Sequence, residues 1–375
     1  MLVLRKRGDW IKRENSQAAK NLAKYTLTAF DHYLLYKKTG EVKPVNFKQY
    51  HEKLPNLEAE EHEFLKLLEN LPEEQQLIEL DALVSFWLDE RQLSPKSTRD
   101  YFGYFRNWLR YNGIKTDDKE CRKSIKFPKR VREMRFTPDD SMVEDLINKA
   151  SKHVYGVFMM LLFVTGARQS ELLKLKVKNI EIGKIDRNTG VVPVNLPGLI
   201  TKQSKERYTF LTPEAVETLQ LHIKNEKLRW DDEVFSFTQN SLQTMFANLR
   251  KKIGFTDVYE SSTQYAKVVH KLTLHRFRAA CNKRLTRAIG DKTTQVIIGH
   301  GDEMTTYDEG EITEMCKDYA KAVPNLTVSK TRRLKIQEEQ NQTLEIRQNR
   351  MQDQMDAQKR EIEALKDLLY RKSLE

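Results

Sequence analysis

The chain has 375 residues, a mass of 44.2 kDa and a formal net charge of +11, with 39% hydrophobic and 32% charged residues. That length provides for two or three domains with real cores. The longest apolar run, the eight residues Val157 to Val164, excludes a membrane-spanning helix, which needs about 20, and three widely spaced cysteines exclude a disulfide framework or a cysteine zinc site.

The expected compartment is therefore the reducing cytoplasm. No secretory signal is read, because Leu2 to Leu4 run directly into Arg5, Lys6 and Arg7. Charge is unevenly spread: residues 1–50 carry 11 Lys/Arg against 4 Asp/Glu, residues 51–82 carry 2 against 10, and residues 119–135 carry 8 against 2. The acidic block, with Pro55 and Pro72, reads as a connecting region or a solvated helix. The basic excess favours a polyanionic partner, although each basic run alone reads equally well as a solvated helix face.

In chain order, helical spacing of Leu22, Tyr25, Ala29, Phe30 and Tyr33 predicts a helix over Ser16 to Leu35, and Leu80, Val84 and Trp87 predict another over Leu77 to Leu88. Ser94-Pro95 opens a third, carrying Tyr101, Phe105, Trp108 and Leu109 and ending at Asn112-Gly113. Lys119 to Arg135 reads as a basic interdomain linker. A second domain starts at Thr137-Pro138-Asp139, with helices at Met142 to Ala150 and Val154 to Val164. Val177 to Ile182, Val191 to Asn195 and Tyr208 to Leu211 are β-prone and bounded by turn residues. Helices resume at Pro213 to Leu228, Ser241 to Ile253 and Leu272 to Ile289. The predicted class is mainly α with a small antiparallel β-sheet.

From about Arg332 a heptad pattern begins. With Leu334 at a, the a series reads Leu334, Asn341, Gln348, Met355, Ile362, Leu369, and the d series Gln337, Leu344, Met351, Gln358, Leu365, Lys372. Seven of these twelve are apolar, which suits a long helix capable of a coiled coil. A single helix docked on a neighbouring subunit fits equally well.

Four short motifs carry candidate chemistry. Thr165 to Leu172 (TGARQSEL) ends an apolar helix at a glycine turn and places Arg168 at the next helix start, where its rigid donor fork can grip a phosphate. Thr201 to Arg207 (TKQSKER) puts Lys202 between two β-prone segments, within reach of a groove as a proton donor. Leu274 to Arg278 (LHRFR) sets His275 and Arg278 on one helix face. Ile298 to Gly301 (IGHG) sets His300 in a glycine-flanked turn, and Tyr307 follows in a polar stretch. Singly, these residues read as a surface pair, a hairpin lysine, a basic helix and an inert tyrosine.

In this order and spacing they resemble the tyrosine recombinase (phage-integrase) family, over about residues 75–325, whose catalytic set runs Arg, Lys, His-x-x-Arg, His, Tyr. The segment LVSFWLDERQLSPKSTRDYFGYFRNWLRYNG is similar to the family's core-binding domain, and TTYDEGEITEMCKDYAKAVPNLTV most resembles archaeal integrases. The spacing from His300 to Tyr307 is shorter than in many bacterial members. Tyr319 lies in a helical pattern that suits packing better than attack.

The resemblance implies a helical N-terminal extension (1–72), a core-binding domain with its basic linker (73–135), an α/β catalytic domain (136–328) and a C-terminal helix (329–375). It implies that Tyr307 attacks a scissile phosphate to form a 3′-phosphotyrosyl link, that Arg168 and Arg278 hold its oxygens, and that Lys202 protonates the leaving 5′-oxygen. His275 then exchanges the tyrosine proton, His300 bonds a phosphate oxygen or places the nucleophile, and Glu171 orients Arg168. No metal or cofactor is implied. The implied partners are double-stranded DNA and further copies of the chain, as a tetramer on paired sites, with Tyr101, Tyr104, Arg106 and Arg110 as candidate DNA contacts. Two alternatives remain open: a type IB topoisomerase-like or hairpin-forming strand transferase, and a non-catalytic architectural DNA-binding protein.

Overall fold

The computed structural model describes residues 5–42, 56–129, 131, 133–202, 204–263, 265, 268–299 and 309–372. The chain divides into two compact units, Met1–Arg135 with Asp257–Lys271, and Phe136–Thr256 with Leu272–Glu375. The architecture is mainly helical with a two-stranded antiparallel sheet, as the sequence predicts. Among the described residues no helix is long and apolar enough to cross a membrane.

The first unit contains α1 (Arg7–Lys12), α2 (Gln17–Thr39), α3 (Leu57–Asn70), α4 (Glu73–Ser85, extended by a π turn over Phe86–Glu90), α5 (Pro95–Tyr111) and α6 (Asp118–Ser124). Side-chain caps set the starts. Ser16 Oγ accepts from Ala19 N at 3.1 Å and Ser94 Oγ from Ser97 N at 3.2 Å, satisfying amides that have no partner within the helix. Helix α2 buries Ala23, Leu27, Phe30 and Leu34 on one stripe. The core is aromatic: Phe30 packs on Phe105 at 4.8 Å and on Phe64 at 5.1 Å, and the Trp87 indole donates to Ala29 O at 3.0 Å.

Two expectations change here. Of the two readings of the acidic block, the helix holds over 57–85 and the connector does not, but the helices are not merely solvated: in α3 and α4, Phe64, Leu65, Leu68, Leu80 and Leu83 enter the core. Its charge is partly internal, since buried Glu61 pairs with Arg7 at 2.5 Å. The basic linker is also partly folded. Asp117 caps α6 by accepting from Lys119 N and Glu120 N, while Cys121 and Ile125 are buried. Arg106 and Arg110 both pair with Asp118. Segment 257–271 is closed by a bridge between Val258 and His270, and Ser261 N donates to Glu133 Oε1 at 2.6 Å.

The second unit contains α7 (Asp140–Asn148), α8 (His153–Thr165), α9 (Gln169–Leu172), β1 (Val192–Leu196), β2 (Arg207–Leu211), α10 (Pro213–Asn225), α11 (Gln239–Lys252), α12 (His275–Ile289), α13 (Asp291–Ile298), α14 (Glu309–Ala320), α15 (Val323–Leu326) and α16 (Lys330–Lys372). Helix α8 is buried continuously from Gly156 to Thr165, which explains its unbroken apolar run. Strands β1 and β2 pair Val192 with Leu211 and Leu196 with Arg207. The β-prone segment 177–182 is not a strand. Asn179 Oδ1 accepts from Lys176 N at 3.0 Å and curls the chain into 3-10 turns, leaving Ile180 a single bridge to Val194. All three cysteines are free and buried.

Candidate active site

Two helix ends build the site, and in each the last carbonyls are claimed by side chains from distant parts of the chain. At the end of α8, Tyr319 Oη donates to Val164 O at 2.8 Å, Thr209 Oγ1 to Thr165 O at 2.7 Å, and Arg278 Nη1 to Gly166 O. At the end of α13, Arg207 Nη1 donates to Ile297 O at 2.6 Å, Arg278 Nη2 to Ile298 O at 2.7 Å, and Arg168 Nη2 to Gly299 O at 3.3 Å. Helix C-termini expose unpaired carbonyls and carry partial negative charge, so guanidiniums suit both ends.

Glycine is required at both turns. Gly166 has φ +59°, and an added Cβ would meet Ile298 Cγ2 at 3.0 Å and Cys281 Sγ at 3.1 Å. Gly299 has φ +73°, and its Cβ would meet Arg207 Cδ and Nε at 2.7 Å. Both need the left-handed region and both admit a close neighbour.

Arg168 follows the first of these turns as the N-cap of α9. Glu171, three residues on, reaches back: Arg168 N donates to Glu171 Oε2 at 2.8 Å, and Arg168 Nη1 to Glu171 Oε1 at 2.8 Å. The second lone-pair direction of Oε2 accepts from Arg207 Nη2 at 2.6 Å. One buried carboxylate thus fixes the backbone and guanidinium of Arg168 and neutralises Arg207. Burial alone would raise the Glu171 carboxyl, but Arg207 and Arg168 outweigh it and hold it below its ordinary value. Arg278 is pulled down to about 10, chiefly by burial and then by the nearby Arg207 and Arg168, so it remains cationic at neutral pH.

Arg168 and Arg278 are therefore brought together, on adjacent carbonyls of one helix end. Arg168 keeps 22% of its side chain exposed, while Arg278 is 3% exposed and spends two of its five donors on backbone. His275 is the first residue of α12, one turn before Arg278, and is exposed. Lys202 is exposed in the connection between β1 and β2. His300 and Tyr307 lie outside the described residues. Tyr319 is fully buried with its hydroxyl committed to Val164 O, and burial raises it well above its ordinary value, which suits a structural role.

Arg207 is the residue that sequence reasoning missed. It reads as the last letter of a polar run, but it shares strand parity with the buried Thr209 and Leu211. An arginine in phase with a buried stripe is the signal for a partnered interior charge.

The sequence profile described as the phage integrase family matches residues 138–308. The tyrosine recombinase XerA of Saccharolobus solfataricus is 27% identical over 187 residues, which are 49% of this chain and 56% of that protein. The chain thus spans little more than half the length of that curated relative. Among solved structures, a XerH site-specific recombinase bound to difH substrate superposes with a TM-score of 0.47 at 17% identity, covering 82% of this chain and 92% of that one. A lambda integrase (75-356) dimer bound to a COC' core site gives 0.43 at 20% identity, covering 74% and 97%. Residues 138–308, the stretch that the phage integrase family profile matches, hold the arginine cluster of Arg168, Arg207 and Arg278.

Proposed function

We propose that the protein is a site-specific DNA recombinase, an integrase that cleaves and rejoins strands through a 3′-phosphotyrosyl intermediate. The carrying observation is the convergence of three guanidiniums on two fixed helix ends: Arg168 and Arg207 pair with the buried carboxylate of Glu171, and Arg278 is held on the carbonyls of Gly166 and Ile298. The outer edge of Arg168 faces solvent. Such a preorganised cationic cluster suits a phosphodiester, whose transition state gains negative charge.

In this reading Tyr307 Oη attacks the scissile phosphorus and its proton passes to His275. The bond to the 5′-oxygen breaks, and Lys202 protonates that oxygen as it leaves. Arg168 and Arg278 hold the non-bridging oxygens, and His300 bonds one of them or places the nucleophile. The link keeps the phosphodiester's energy, so a 5′-hydroxyl from a second duplex can reverse the step and exchange strands. Residues 73–135 serve as the core-binding module and 136–328 as the catalytic domain. The working form is a tetramer on paired sites in double-stranded DNA, bound to the nucleoid in the cytoplasm.

The test is a suicide substrate, nicked so that the cleaved end is lost. Wild type should accumulate a covalent protein–DNA adduct, also in EDTA, with the DNA mapped to the peptide containing Tyr307; Tyr307→Phe should form none. Absence of an adduct from wild type would remove the enzymatic reading. Relaxation of supercoils without joining of two sites would replace recombination by topoisomerase chemistry.

A further inference from the structure

Helix α16 has 43 residues, about 64 Å at 1.5 Å per residue. Its first turn is tied to the second unit: Lys330 N donates to Glu144 Oε1 at 3.1 Å, Arg332 pairs with Glu217 at 2.7 Å, and Arg333 pairs with Asp140 at 2.6 Å. Beyond that turn several apolar side chains face outward. Leu334 is 50% exposed, Met351 57%, Met355 48% and Ile362 52%. A helix this long draws most of its stability from packing of an apolar stripe, and here Met351, Met355 and Ile362 are uncovered.

The stripe has a specific shape. Leu344, Met351, Met355, Ile362, Leu365 and Leu369 follow one another at steps of seven, four, seven, three and four. That averages a 3.5-residue repeat, the condition for a left-handed two-helix seam. Ile346, also exposed at 55%, falls at f and lies off the seam. We propose that α16 pairs in parallel and in register with the α16 of a second copy of this chain.

The polar residues choose the occupant. In the parallel, in-register arrangement Asn341, Gln348 and Gln358 each meet their own counterpart, and a side-chain amide both donates and accepts. The antiparallel register that overlays the same apolar stretch sets Gln348 against Leu365 and Gln358 against Met355, leaving amides opposite aliphatic groups. The flanks agree. Parallel pairing sets the g positions Arg347, Gln354 and Glu361 against the e positions Gln352, Lys359 and Lys366. No pair is like-charged, and Glu361 with Lys366 is attractive. Because the N-terminal turn of α16 is the anchored one, a parallel pair holds two second units at the same end of the seam. This inference stands independently of the recombinase reading.

The full-length chain without DNA is the sample. Sedimentation equilibrium should show a reversible dimer that the double variant Met355→Asp/Ile362→Asp loses, with thermal unfolding of the two cores unchanged. Gln348→Cys should form an intermolecular disulfide on air oxidation, with no wild-type background because the native thiols are buried. A monomer at every concentration would overturn the proposal, as would a dimer that survives Met355→Asp/Ile362→Asp. If Gln348→Cys stays uncoupled while Gln348→Cys/Leu365→Cys couples, the pairing is antiparallel and the parallel seam is wrong.

Discussion

Glu171 is the residue on which the site's geometry turns, because its two oxygens serve three donors from two arginines. Removing one partner of a buried ion pair strands the other. Arg207→Ala should therefore cost about 3–5 kcal/mol in denaturant unfolding, although Arg207 is not assigned contact with substrate. The pH dependence has a defined sign. Glu171 is held below its unfolded value, which is about 4.3. Its contribution is present above that value and is lost as the pH falls through the folded one. Acid titration should show a step below about pH 4 that Glu171→Gln lacks. The two candidate arginines should differ in degree under mutation. Arg168→Ala should lower adduct formation by about 10²–10³ and should destabilise less than Arg207→Ala, since Glu171 keeps the Arg168 amide and Arg207 as donors. Arg278→Ala should lower both adduct formation and stability, since it leaves Gly166 O and Ile298 O unpaired, at about 1–3 kcal/mol for each. Unchanged unfolding in Arg278→Ala would show that those carbonyls find other partners.

At the scale of elements, the turns that carry the site are more exacting than the helices they end. Gly299→Ala would place a methyl group 2.7 Å from the Arg207 side chain at φ +73°. It should cost about 1–3 kcal/mol by thermal or chemical unfolding and should slow cleavage by displacing the arginines. Local signals made much of this legible beforehand. Ser94 and Asp139 announce helix starts and do cap α5 and α7, because a cap is decided within three residues. Segment 177–182 misled because β propensity reports a surface fit to neighbours, and the Asn179 side chain captures the backbone first. The acidic block shows its helices but not their share of the core, because its composition hides Phe64, Leu65 and Leu68 at helical spacing. In the site, motif order pointed to Arg168 and Arg278. The link from Glu171 to Arg207 spans 36 positions and leaves no local trace.

At the scale of the whole molecule, the 65 Lys and Arg side chains are not all available to a polyanion. Arg7 and Arg207 are spent on the buried carboxylates of Glu61 and Glu171, and Arg106 and Arg110 on the exposed carboxylate of Asp118. DNA binding should still weaken steeply with salt, as a linear fall of log affinity against log salt concentration; a flat response would mean that phosphate contacts contribute little. The three cysteines give the molecule a further property. Cys121 lies in the first unit's core, whereas Cys281 sits against the Gly166 turn and Cys316 on α14 in the second. Burial pushes Cys281 up to about 12 and Cys316 to about 11, so neither forms appreciable thiolate at neutral pH. Alkylation then waits on opening. The chain carries its own clock for breathing motions, in which modification of Cys121 times the loosening of one unit and modification of Cys281 times the loosening of the arginine cluster in the other.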